Sequence, residues 1–298
     1  MAHFSFHASP AQRLGSLSLK VGEESRPIIL KSDAPDDPVL TSTLVDDNSL
    51  LLVEVAGSSF SSSGSYRVYR LVGRRAGSGT LQAFDAPRPG PSKTLDTLNL
   101  TVSADNSNAD LIYTGKWLVW IRSLPAQLST SGPHFFAATS GLLGQQVARE
   151  KCNKDHGPLP EATYTLSASI DRQQATVQMA NDMGERSITN GRDGIQFLRI
   201  GGNGPVDVPW GTMRVKLSPK GDVCGRSGFY LHNSHKGYSH GCIEVGASTT
   251  GADFFTALQG YVMEAGHHSQ LTVRVKYSFP EQTTAGATYR PPAPLPTP

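Results

Sequence analysis

The fold and the chemistry of this chain meet in one stretch, Gly225-Arg-Ser-Gly-Phe-Tyr-Leu-His-Asn-Ser-His-Lys-Gly-Tyr-Ser-His-Gly-Cys-Ile-Glu-Val245. Phe229-Tyr-Leu231 reads as an apolar strand that delivers His232 at its end. A polar loop containing Gly237 follows, and Ser239-His-Gly-Cys242 leads into a second apolar segment. A free cysteine is mostly protonated at neutral pH, and a nearby imidazole makes it a nucleophile by taking its proton. Two strands joined by this loop bring His232 and Cys242 face to face, so Cys242 is expected to be the nucleophile and His232 its base. Gly241 beside the thiol lets a substrate approach the backbone and frees N–H groups for a developing oxyanion.

Outward from this stretch the chain keeps the same character. Met213 to Leu217, Gln196 to Ile200, Thr163 to Ala168, Phe135 to Thr139 and Leu271 to Tyr277 read as strands. Leu111-Ile-Tyr and Trp117 to Ile121 flank Thr114-Gly-Lys116, a hairpin pattern. Gly251 to Ala265 carries Phe254, Phe255, Leu258, Tyr261 and Val262 at helical spacing. Nearer the start, Ser49 to Ala56, Tyr66 to Val72 and Leu95 to Val102 are strands, separated by turn clusters at Gly57–Gly64 and Ala86–Pro91. The expected fold is therefore mainly β: a sandwich-like accessory domain over residues 1–105, a β-rich catalytic domain with one or two short helices over 109–279, and a flexible Pro-rich tail over 280–298.

Composition agrees and excludes other classes. With 30 Gly, 20 Pro and 17% charged residues among 298, the chain suits a turn-rich β protein rather than a helical bundle. The net charge of +2 comes without a basic run, which argues against nucleic-acid binding. No apolar stretch is long enough to span a bilayer. The opening Met-Ala-His-Phe-Ser-Phe-His lacks the pattern of a classical signal peptide, so synthesis in the cytoplasm is expected.

Three cysteines are too few for a disulfide framework. Cys152 and Cys224 read either as core thiols or as a pair formed after export, and Cys242 as the free thiol. His235 and His240 have the spacing of half a zinc site, but the close Cys pair of the other half is missing, so no metal is expected. His267-His268, at the end of the helix, reads as solvated or as a favourable charge at its C-terminus.

Ser239-His240-Gly241-Cys242 behind a strand-end His resembles the signature of YkuD-type L,D-transpeptidases. Tyr113-Thr-Gly-Lys116, Ala138-Thr-Ser-Gly141, and Gly157-Pro-Leu-Pro160 followed by Tyr164 are similar to earlier elements of that family, so the likeness runs from Asp110 to Tyr277. The ten-position gap from His232 to Cys242, with Arg226 three residues before Phe229, looks most like the type VI secretion effectors of that family.

The resemblance implies that Cys242 attacks the carbonyl of an L,D-amide in a peptidoglycan stem peptide, with His232 as base. His240 and Gly241 would shape the oxyanion site, Ser239 would steady the loop, and Arg226 or Lys236 would meet an anionic substrate group. It implies no cofactor, secretion to the periplasm of a target bacterium, a cognate immunity protein and a secretion-system partner. Glu244 departs from the family, where Arg or Asn is common. That departure favours the other class considered, a cell-wall or secretion-component binding protein with a degenerate site.

Overall fold

The computed structural model describes residues 4–32, 43–46, 49–61, 64–85, 94–128, 132–170, 175–179, 186–189, 194–200, 211–264 and 269–288. The turn expected at 86–91, the His267-His268 pair and the end of the tail at 291–298 lie outside them. The protein is mainly β, as composition indicates, and divides into two compact units, Met1–Ser107 and Asn108–Pro298.

The first unit contains β1 (Phe4–Ser9), β2 (Gln12–Arg13), β3 (Ser16–Lys20), β4 (Ile28–Ser32), β5 (Thr43–Asp46), β6 (Leu51–Ser61), β7 (Gly64–Gly73), β8 (Gly77–Phe84) and β9 (Thr94–Ser103). They form two sheets, in the orders β2-β1-β4-β7-β6 and β3-β9-β8-β5. Alternate residues are buried: Ile28, Leu30, Tyr69 and Leu71 from one sheet, Leu98, Leu100 and Val102 from the other. That is the period of half-buried antiparallel strands. Where the Ser-rich run from Gly57 reads as a broad turn, β6 instead continues to Ser61, paired with Gly64. Main-chain pairing with β7 outweighs the poor strand propensity of small polar residues.

The second unit contains β10 (Leu111–Tyr113), β11 (Trp117–Trp120), β12 (His134–Thr139), β13 (Thr163–Ala168), β14 (Ala175–Met179) and β15 (Arg186–Thr189). These are followed by β16 (Ile195–Ile200), β17 (Met213–Lys220), β18 (Phe229–His232), β19 (Ile243–Ser248), α1 (Phe254–Glu264) and β20 (Ser269–Val275). Strands run in the order β13-β20-β10-β11-β12-β19-β18-β17, and β17 pairs back to β13. The ring closes as an eight-stranded barrel, a size whose interior side chains can fill. Val215, Leu217, Phe229, Leu231, Ile243 and Val245 join one apolar cluster with Tyr164, Leu166 and Val273. Helix α1, whose first turn is capped by Asp253 accepting from Thr256 N at 2.8 Å, adds Phe254, Phe255 and Leu258 to it. No described helix is long and apolar enough to cross a membrane.

The second unit does not stop at 279. Gln282, Thr284 and Thr288, read as part of a mobile tail, are 1%, 0% and 2% exposed. Gln282 Nε2 donates to Thr114 O at 2.5 Å, Ser140 N to Thr284 O at 3.0 Å and Thr284 N to Gln146 O at 2.9 Å. The segment contributes hydroxyls and amides rather than apolar bulk, so hydrophobic periodicity does not reveal it.

Candidate active site

Strands β18 and β19 are parallel neighbours with Leu231 opposite Ile243 and His232 opposite Glu244. Phe229, Leu231, Ile243 and Val245 point into the barrel cluster, so Tyr230, His232, Cys242 and Glu244 share its outer face. The register extends this into a row: Gln196, Arg214, His232, Glu244 and Thr139, one each from β16, β17, β18, β19 and β12. All five are buried. Buried polar groups cost free energy unless each finds a partner, so the wiring of this row decides what it can do.

Glu244 is the hub of that wiring. Its Oε1 accepts from Gly237 N at 2.8 Å and Thr288 Oγ1 at 2.5 Å. Its Oε2 accepts from Lys236 N at 3.0 Å and from the Ser234 hydroxyl. A carboxylate only accepts, so Ser234 gives its single proton to Glu244. Ser234 Oγ is also 3.0 Å from His232 Nδ1, and there the hydroxyl can only accept. Nδ1 therefore carries the ring proton, and Nε2 keeps its lone pair as a base. Glu244, the position that departs from the family pattern, holds loop 233–240 and fixes the tautomer of His232.

The resting pair is neutral. Cys242 is 5% exposed, and its thiol donates weakly to Gly228 O at 3.8 Å. Burial pushes the thiol up to about 11, opposed by the Tyr230 main-chain N–H and the charges of Arg214, Arg226 and Lys236. Burial, aided by the charges of Lys236 and Arg214, pushes His232 down to about 3. Such a pair suits proton transfer during attack rather than a preformed thiolate–imidazolium.

The turn before Cys242 is clamped from the neighbouring loops. Ser239 Oγ donates to Cys242 O at 2.5 Å, as does Ser140 Oγ at 2.7 Å, and Ser239 N donates to Gly141 O at 3.0 Å. Gly241 sits at φ +100°, where a Cβ would also collide with the Arg226 guanidinium. The exposed ring of His240 donates through Nδ1 to Asp155 O at 2.9 Å, so it tethers the turn to loop 153–157.

Arg226 does not match its expected role. Its guanidinium is buried and donates to Lys151 O at 2.5 Å, Pro158 O at 2.7 Å and Gly157 O at 3.0 Å, which makes it a clamp between loops rather than a residue offered to substrate. Cys152 and Cys224 join the same two loops in a disulfide, Cα to Cα 5.4 Å. Lys236 is half-buried, its Nζ 4.5 Å from the centre of the Tyr238 ring.

Sequence reasoning missed Ser234, Thr288 and Arg214. Arg214 lies 4.2 Å over the Tyr230 ring, and its Nε donates to Gln196 Oε1 at 2.7 Å. Ser234 and Glu244 lie two positions after His232 and Cys242, and that paired spacing was the only local signal.

No protein-family model matches the chain, and no curated protein matches it. Among solved structures, amebosin matches with 22% identity over 30% of this chain and 88% of its own, at a TM-score of 0.21. The surface-layer protein rSbsC(31-844) matches with 10% identity over 72% of this chain and 22% of its own, at 0.24. Domains 4–9 of SbsC match with 8% identity over 93% and 31%, also at 0.24. The chain spans less than a third of the surface-layer chains it matches.

Proposed function

We propose that this protein is a cysteine enzyme of peptidoglycan stem peptides, acting as an L,D-transpeptidase or L,D-carboxypeptidase. The observation that carries this reading is the chain from Glu244 through Ser234 to His232, on the face that bears Cys242. A buried thiol with no chemistry to do needs no imidazole held in one tautomer on the same face of the sheet. In the proposed reaction Cys242 Sγ bonds to the carbonyl carbon of the L,D-amide as its proton passes to His232 Nε2. The C–N bond then breaks, the amine leaves with that proton, and a thioester remains. Water or an acceptor amine gives its proton to His232 as it attacks the thioester, and the thiolate departs and is reprotonated. Main-chain N–H groups around Gly241 are the nearest candidates for oxyanion donors.

The resemblance extends the proposal to a secreted antibacterial effector of the type VI kind, with an immunity protein and a secretion component as partners. The Cys152–Cys224 disulfide supports action in an oxidising compartment such as the periplasm. The near-complete burial of Cys242 favours the second reading, a wall-binding protein with a silent site. Purified tetrapeptide muropeptides incubated with the full chain and read by mass spectrometry separate the two. Loss or exchange of the terminal D-alanine is the expected result. Unchanged muropeptides in the presence of folded protein would overturn the enzyme reading.

A further inference from the structure

We infer that Thr288, in the C-terminal segment, is a positioning residue of the active site, completing the carboxylate that orients His232. The inference rests on the proposed reading of Cys242 and His232 as nucleophile and base. Each oxygen of Glu244 has two donors, and three of the four come from loop 233–240: the Ser234 hydroxyl, Lys236 N and Gly237 N. The fourth is Thr288 Oγ1 at 2.5 Å, from a residue 44 positions away in sequence and 2% exposed. Because the carboxylate cannot donate, the Thr288 proton goes to it, while Thr139 Oγ1 lies 2.8 Å from Thr288 Oγ1.

The segment is built to deliver that hydroxyl. Thr284 Oγ1 donates to Ser140 O at 2.6 Å, and Gly286 N donates to Thr139 Oγ1 at 2.9 Å. Gly286 lies so close to Ala138 O and Lys116 O that a Cβ would collide with both. These contacts seat the strap along the end of β12, the strand whose Thr139 is opposite Glu244 in register. Thr288 then gives Glu244 Oε1 a second donor beside Gly237 N, from outside loop 233–240. Without it, Glu244 can rotate towards its remaining donors, Ser234 is released from its acceptor role at Nδ1, and the base loses its single tautomer.

The test uses the full chain with Thr288→Val and Thr288→Ser, with Thr288→Ala as a second loss variant should valine not fold. Turnover of tetrapeptide muropeptides gives kcat and KM, and a long-range ¹H–¹⁵N spectrum of the imidazoles, with His232→Gln for assignment, gives the tautomer. The valine variant should keep its fold and its KM while kcat falls roughly tenfold, the effect expected of losing one hydrogen bond to a charged group. Its His232 signal should leave the pure Nδ1–H pattern, and serine should restore both readouts. Wild-type kcat and an unchanged His232 signal in the valine or alanine variant would overturn the inference. So would a serine variant as impaired as valine, since packing rather than the hydroxyl would then be responsible. The imidazole spectrum needs no substrate. A wild type that leaves muropeptides untouched, with the tautomer still dependent on Thr288, would sink the proposed reaction and leave this positioning role standing.

Discussion

The two units bury different things. Among the described residues, the N-terminal unit buries only Glu24, Ser25, Ser32 and Ser65 as polar side chains, against an apolar set that includes Phe6, Leu30, Leu71, Leu81 and Leu98. The C-terminal unit fills its barrel with apolar side chains and then buries a second, polar layer on the outer face of β17, β18 and β19. An apolar core is enough to fold a domain of this size. A polar row costs free energy to desolvate and must be fully paired, so its presence in one unit and not the other is the pattern expected of the proposed site.

The strongest way to break that comparison is to remove the proposed reacting pair. Cys242→Ala should leave the fold intact and lower muropeptide turnover by roughly a thousandfold or more, because the covalent route is lost. His232→Ala should come close to the same loss, and the double variant should be little worse than either, since the two act as one unit. In the N-terminal unit the matched change is Phe6→Ala. It should cost about 3–5 kcal/mol of that unit's stability through the cavity it leaves and spare kcat. Full turnover in a folded Cys242→Ala protein would reduce the polar row to a structural oddity.

Much of this was legible in the sequence, for a reason that also explains what was not. The strand readings Ser49–Ala56, Tyr66–Val72, Leu95–Val102 and Phe229–Leu231, and the helix reading Gly251–Ala265, follow from local periodicity and each overlaps an observed element. Cys242 and His232 stand out because a thiol and an imidazole, the proposed nucleophile and base, flank one short loop. Apolar runs do not show strand direction, so nothing local says that β18 and β19 run parallel and align His232 with Glu244. Glu244 looked like a liability because its partners are two main-chain N–H groups, a serine and a distant threonine, none of them the cation that a lone carboxylate suggests. Arg226 looked available because its three acceptors are carbonyls, which carry no residue identity.

Reduction of Cys152–Cys224 should have the next largest effect. The bridge spans 72 positions and ties the loop carrying Arg226 to the loop whose carbonyls Arg226 engages. Its loss should cost the C-terminal unit about 2–4 kcal/mol. Turnover should also fall, because Gly241 packs on the guanidinium that the bridge helps to hold. Denaturation and turnover of the Cys152→Ser/Cys224→Ser double variant test this. An unchanged denaturation midpoint would show that the Arg226 clamp suffices alone.

A smaller, pH-dependent effect follows from the neutral resting pair. His232 is held at about 3 against an ordinary 6.5, so between those values the unfolded chain binds a proton that the folded chain refuses. Stability should therefore fall as pH drops through that window, and less steeply in His232→Gln. Cys242 is held at about 11 against 9, so between those values the folded chain keeps a proton that the unfolded chain loses. Stability should fall as pH rises there, and less steeply in Cys242→Ala. Urea midpoints at paired pH values measure both slopes, and parallel slopes in variant and wild type would show that the two groups are more solvated than the closed site implies.

The smallest effect expected is that of removing the N-terminal unit. The compact units meet between Ser107 and Asn108, and all three cysteines and every member of the polar row lie beyond that point. A fragment of residues 108–298 should turn over isolated muropeptides within about twofold of the full chain, as expected of a domain with its own core. A fragment ending at Phe279 should fare far worse, because it lacks Gln282, Thr284 and Thr288 and leaves Thr114, Ser140 and Glu244 without the donors they have in the full chain. The pair of fragments separates two ideas that a single truncation confuses. If residues 108–298 fold but turn over tenfold more slowly, the first unit touches substrate, and its plain apolar architecture conceals a binding role. If the fragment ending at Phe279 matches the longer one, the C-terminal strap is ornament and the four-donor carboxylate is not what holds His232.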